Sequence, residues 1–101
     1  MRSRYPDDPE AALVALLRKL YAGDLTEGQL LRSLRRDVLG LSQTRYAEMV
    51  GISRRTLSDL ERDTGSVTLE VMNRAFKPLG LEVSLVPRKR SLLKQALIPI
   101  E

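Results

Sequence analysis

Between residues 41 and 63 the apolar and small side chains fall into two short helical periods separated by one glycine. Tyr46, Ala47 and Val50 make the first, Gly51 interrupts, and Ile52, Leu57 and Leu60 resume the pattern. This spacing predicts two crossing helices that share one buried seam. Ser42 and Ser53 stand immediately before the two periods, where a hydroxyl can accept from the open amides of a first turn. Ala47 is small where the second helix must come close, and Gly51 suits a turn that needs positive φ. The ordered set predicts a helix-turn-helix.

With Leu57 and Leu60 turned inward, Arg54, Arg55, Ser58, Asp59 and Arg62 share the opposite face of the second helix, and none of them is apolar. On an isolated amphipathic helix such a face reads as merely solvated. A capped partner helix and a glycine turn directly upstream give it a different context, that of a helix whose N-terminal residues enter the DNA major groove. Arg54 or Arg55 is then the candidate for guanine O6 and N7, Asp59 for a cytosine amino group and the Thr56 methyl for thymine, with Ser58 on the same base-reading face. Arg62 is a candidate for phosphate.

The flanking sequence extends the helical pattern. Leu13, Leu16, Leu17 and Leu20 repeat at i, i+3, i+4, i+7 and predict a helix over 9–23 that stops at Gly23. Thr26 and Gln29 form a capping-box pair, with Leu25 and Leu30 able to close a hydrophobic staple around them, and the helix runs on through Leu31, Leu34 and Val38 to Gly40. Thr68 caps a further helix with Leu69, Met72, Ala75, Phe76 and Leu79 inward, and Pro78 is expected to tighten or break its last turn.

Residues 81–87 alternate apolar and polar and end at Pro87, which predicts a strand. A lone strand cannot be stable in a helical domain, so Leu81, Val83 and Leu85 are expected to pair with the same strand of a second subunit across a two-fold axis. The alternative is a coil packed on its own core. Arg88, Lys89 and Arg90 then precede Leu92, Leu93, Ala96 and Leu97 in a tail, 88–101, open to phosphate contact, solvation or docking. Residues 1–8 are polar, contain Pro6 and predict a loose arm carrying Arg2 and Arg4.

Leu41-Ser42-Gln43, Ala47, Gly51-Ile52-Ser53 and the run from Leu57 to Arg62 together resemble the Xre-type helix-turn-helix family of lambda and 434 repressor and Cro-like proteins. The resemblance implies an all-α, five-helix repressor-like domain over 24–80, with the helix at 9–23 as an N-terminal addition packed on that core and the strand at 81–87 for dimerisation. It implies that Gln43 and Thr44, at the start of the first motif helix, and Gly65 and Ser66, in the loop after the second, contact backbone phosphate. It also implies a structural ion pair, matched here by Arg36 and Glu61. Two departures stand out: Tyr46 replaces the usual leucine, and acidic Asp63 stands where glycine or asparagine commonly ends the helix. The segment 79–85 resembles the HipB-like branch, in which such a strand builds the dimer.

Composition narrows the function. The chain has 101 residues, enough for one domain with short extensions, and its 17 basic against 13 acidic residues are compatible with a polyanionic partner. There is no cysteine and no histidine, so disulfides, thiolate metal sites and the commonest acid–base group are missing. No catalytic residues, metal or cofactor are expected, and the chain does not read as an enzyme. The lack of a long apolar run or signal pattern predicts a cytoplasmic protein. The leading expectation is a homodimeric, sequence-specific transcriptional regulator on double-stranded DNA. The alternative is an antitoxin that neutralises a toxin and represses its own operon.

Overall fold

The computed structural model describes residues 8–97. Most of the predicted arm, including Arg2 and Arg4, lies outside the described residues, as do 98–101. Helix α1 (Pro9–Ala22) opens where the Asp8 carboxylate accepts from the Ala11 amide at 3.1 Å, and Pro9 occupies the first turn. Pro fits there because its missing N–H has no intrahelical partner to lose. Leu13, Leu16, Leu17 and Leu20 are half-buried against the core, with α1 lying on the helix that follows it.

That helix, α2 (Glu27–Ser33), begins with the reciprocal cap read from the sequence. The Thr26 hydroxyl accepts from the Gln29 amide at 3.1 Å while Gln29 Oε1 accepts from the Thr26 amide at 2.9 Å. The helix continues into a wider π-helical turn (Leu34–Val38), in which the Leu39 amide reaches back five residues to the Leu34 carbonyl at 2.9 Å. Helices α3 (Gln43–Val50) and α4 (Arg54–Glu61) follow, capped by Ser42 and Ser53, whose hydroxyls accept from the Arg45 and Thr56 amides at 3.1 and 3.0 Å. Gly51 ends α3 with φ 74°, so the turn does use the left-handed region. Helix α5 (Leu69–Phe76) gives way at Lys77 to a 3₁₀ turn (Lys77–Leu79), as the missing amide of Pro78 requires. A last helix, α6 (Arg90–Ala96), buries Leu93.

The core is Leu30, Leu31 and Leu34 from the second helix, Tyr46, Ala47 and Val50 from α3, Leu57 and Leu60 from α4, and Ala75 and Phe76 from α5. Each large aliphatic or aromatic member contributes roughly 1.5–3 kcal/mol of burial. The two motif helices therefore do not fold as a pair; α2 and α5 close the seam that they share.

The strand expected over 81–87 does not form in the single chain: among the described residues there is no strand. No second segment lies alongside to accept a ladder. The backbone bonds locally instead, with the Leu81 amide donating to the Phe76 carbonyl at 3.2 Å and the Val83 amide to Asn73 Oδ1 at 2.7 Å. Leu81 is half-buried on the core, whereas Leu85 is 99% exposed.

Candidate nucleic-acid interface

Helix α4 presents two chemically distinct sides. Leu57, Leu60 and Glu61 are buried, while Arg54, Arg55 and Arg62 are exposed, and Thr56, Ser58 and Asp59 lie half-buried between them. Arg54 and Arg55 occupy the first turn, and neither enters an ion pair among the described residues. Their guanidiniums keep all five donors available to a ligand. The Thr56 hydroxyl accepts from Ser53 Oγ at 2.8 Å. Asp59 accepts from Arg62 at 2.9 Å, and its backbone carbonyl receives the Thr64 amide at 2.9 Å. One such bond uses a fraction of a carboxylate's acceptor capacity, so Asp59 both steadies Arg62 and keeps oxygen lone pairs outward. The surface continues into Gly65, which has φ 78°, and exposed Ser66, and on the other side into exposed Thr44.

Beneath this surface lies a buried polar network. Glu61 receives two bonds from one guanidinium, Arg35 Nε to Oε2 at 2.5 Å and Arg35 Nη2 to Oε1 at 2.9 Å, while Arg35 Nη1 donates to the Leu41 carbonyl at 2.7 Å. The expected partner, Arg36, is not in this pair. Its side chain is 54% exposed and bonds the neighbouring Asp37 at 3.0 Å. The reason is helical phase: Leu30, Leu31 and Leu34 fix the inward row, and Arg35, four residues after Leu31, continues it, whereas Arg36 lies roughly 100° further round. Gln43 Nε2 also donates to Glu61 Oε1, at 3.0 Å. Glu61 is acceptor-only, so it fixes which way the Gln43 amide faces. One Gln43 hydrogen is committed inward, and the amide oxygen and the second hydrogen remain for an outside partner.

The contacts of three further side chains, Tyr46, Arg74 and Asp63, were not read from the sequence. Buried Tyr46 donates its hydroxyl to the Ala75 carbonyl at 2.5 Å and so ties α3 to α5. Burial, with a smaller contribution from the nearby Glu61 charge and partly opposed by Arg35, pushes this phenol from 10.0 up to about 12. A tyrosine on an inward seam was itself a signal, because a buried hydroxyl needs a partner. Arg74 donates to the Gly51 carbonyl at 3.3 Å and braces the turn between α3 and α4. Asp63, in the left-handed region with φ 56°, turns its carboxylate onto the start of α2, where it accepts from the Gly28 amide at 2.9 Å and the Thr26 hydroxyl at 2.5 Å. No local pattern links positions 28 and 63.

Among the described residues no cluster of side chains is suited to hold a metal ion, and no helix is long and apolar enough to cross a membrane. No solved structure matches the chain. An immunity repressor protein of Bacillus phage phi105 is 31% identical over 71 residues, which cover 70% of this chain and 49% of that protein. The chain thus spans about half the length of that relative. A family model described as helix-turn-helix matches residues 31–86, more than half of the chain, including the whole of the α3–Gly51–α4 unit, α5 and the end of α2. The chain belongs to the Xre/Cro-type helix-turn-helix family.

Proposed function

We propose that the protein is a sequence-specific DNA-binding transcriptional regulator that places α4 in the major groove. The observation that carries this reading is the outer face of α4: two arginines in the first turn, neither in an ion pair among the described residues, on a helix whose opposite face is locked into the core. Arg54 and Arg55 read base edges, with Thr56, Ser58 and Asp59 beside them, because a fixed helix with free bidentate donors can distinguish guanine from the other bases. Arg62, Thr44, Gly65, Ser66 and the outward part of Gln43 hold phosphates and set the register. The phi105 relative, named as an immunity repressor, supports the regulatory role.

The regulator acts as a homodimer in which residues 81–87 of two copies pair, as the HipB-like ending suggests. The Leu81 and Val83 amides are already used inside the chain, and alternate amides of a strand point to one edge. The pairing edge is therefore that of Glu82, Ser84 and Val86, and exposed Leu85 has apolar surface to bury against the second copy. Two recognition helices would then meet successive major grooves, with half-site centres roughly 34 Å apart. Ser84→Pro should give a monomer by sedimentation; an intact dimer would remove the strand from the interface.

The function is tested by titrating the protein against DNA directly upstream of its own gene and against a scrambled duplex, at two salt concentrations. The Arg54→Ala, Arg55→Ala double variant should lose the preference for the upstream duplex and keep salt-dependent weak binding. Equal, weak binding of every duplex by the unaltered protein would overturn the reading.

A further inference from the structure

We infer that Asp63 is a positioning residue for DNA recognition: its carboxylate latches the C-terminal end of α4 to the N-terminus of α2, and this latch holds the reading face in its docking orientation. The inference rests on the DNA-binding reading of α4. Asp63 lies just beyond the last turn of α4, and its amide donates to the Leu60 carbonyl at 3.2 Å. Its two carboxylate oxygens are divided between two donors of α2, Oδ1 taking the Gly28 amide at 2.9 Å and Oδ2 the Thr26 hydroxyl at 2.5 Å. The Thr26 hydroxyl is thereby used in both directions, since it also accepts from the Gln29 amide at 3.1 Å. The open amides of a first helical turn carry partial positive charge, so a carboxylate bonds them more strongly than a neutral acceptor does.

The packing is built for this contact. A Cβ on Gly28 would lie 2.4 Å from the Leu60 carbonyl oxygen and 2.7 Å from Asp63 Oδ1, so only glycine lets the two helix ends come this close. The latch meets the start of α2, and the Arg35–Glu61 pair meets the π-helical turn that continues α2. With both made, the C-terminal end of α4 is tied to the start of α2 through Asp63 and to the turn that follows α2 through Glu61.

Two substitutions separate the latch from the turn. Asp63→Gly keeps the left-handed conformation, which glycine adopts freely, and removes both hydrogen bonds and the negative charge. If Asp63 only ends the helix, this variant should bind DNA as well as the unaltered protein or better, because a charge that repels phosphate is gone. If the latch positions α4, affinity for the upstream duplex should fall about tenfold, equivalent to about 1.4 kcal/mol, while binding to a scrambled duplex is unchanged or tighter. Thr26→Val, which leaves Asp63 and the total charge in place, should reproduce part of the same loss of preference. In parallel, amide exchange at Gly28 in the full chain should accelerate in Asp63→Gly. Undiminished preference for the upstream duplex in Asp63→Gly overturns the inference, and so does unchanged Gly28 protection. If the unaltered protein shows no preference among duplexes, the DNA reading fails and the positioning role falls with it; faster Gly28 exchange would then show a structural tie alone.

Discussion

The C-terminal end of α4 is fastened to α2 and to the π-helical turn that continues it by two carboxylates only two positions apart, and they work under opposite conditions. Glu61 is buried and meets Arg35 and Gln43 in a fully bonded network. Asp63 is exposed and meets a backbone amide and a hydroxyl. A buried charge contributes little net stability once its desolvation is counted, yet removing one partner leaves the other charge stranded. An exposed carboxylate on a helix end carries little desolvation cost and correspondingly contributes less. The buried pair should therefore dominate folding, and the exposed latch should be felt mainly in orientation.

The sharpest way to break this contrast is to strand a charge. Glu61→Ala should lower stability by roughly 3–5 kcal/mol, and Arg35→Ala by a similar amount, each leaving an uncompensated buried group. Arg36→Ala, which removes only an exposed pair, should change stability by less than about 1 kcal/mol. Denaturant melts of the three variants check the assignment, and a large loss on Arg36→Ala would reverse it. Gly28→Ala comes next: its methyl meets backbone at 2.4 Å, so roughly 1–3 kcal/mol should be lost through overpacking, and a neutral effect in the same melts would show that the helix ends are not close-packed.

Tyr46→Phe should cost about 1 kcal/mol, the value of a typical buried hydrogen bond. It should also change the alkaline limb of stability. The folded phenol holds its proton up to about pH 12 whereas the unfolded one releases it from 10.0. Stability should therefore fall as pH rises from 10 toward 12, by up to about 2–3 kcal/mol in total. A flatter pH–stability curve above pH 10 in Tyr46→Phe checks the sign. The smallest effect on folding belongs to the reading face: Arg54→Ala with Arg55→Ala should leave the unfolding free energy within about 0.5 kcal/mol of the unaltered protein, so that any loss of DNA binding reports on contact rather than on fold.

The parts of the site that were legible are those specified by neighbours in the chain. Ser42, Ser53, Thr26 and Thr68 cap the helices they were expected to cap, Gly51 turns in the left-handed region, and Pro78 ends α5 in a 3₁₀ turn. Each follows from a spacing of four residues or fewer. The Arg36 assignment missed by one position because a match to a family pattern does not fix helical phase; the buried leucines do. The strand at 81–87 was an expectation about a partner, and in the single chain its amides turn to Phe76 and Asn73 instead.

The sequence by itself determined the helix order, the caps and the outward polar face of α4, because hydrophobic period and first-turn hydroxyls act within a few residues. Tertiary structure alone decided which arginine holds Glu61, where the Tyr46 hydroxyl goes, and that Asp63 closes on Gly28 and Thr26. Those contacts join residues 26 to 37 positions apart, and they exist only once α2, α4 and α5 have packed around the shared seam and brought their polar ends within hydrogen-bonding reach.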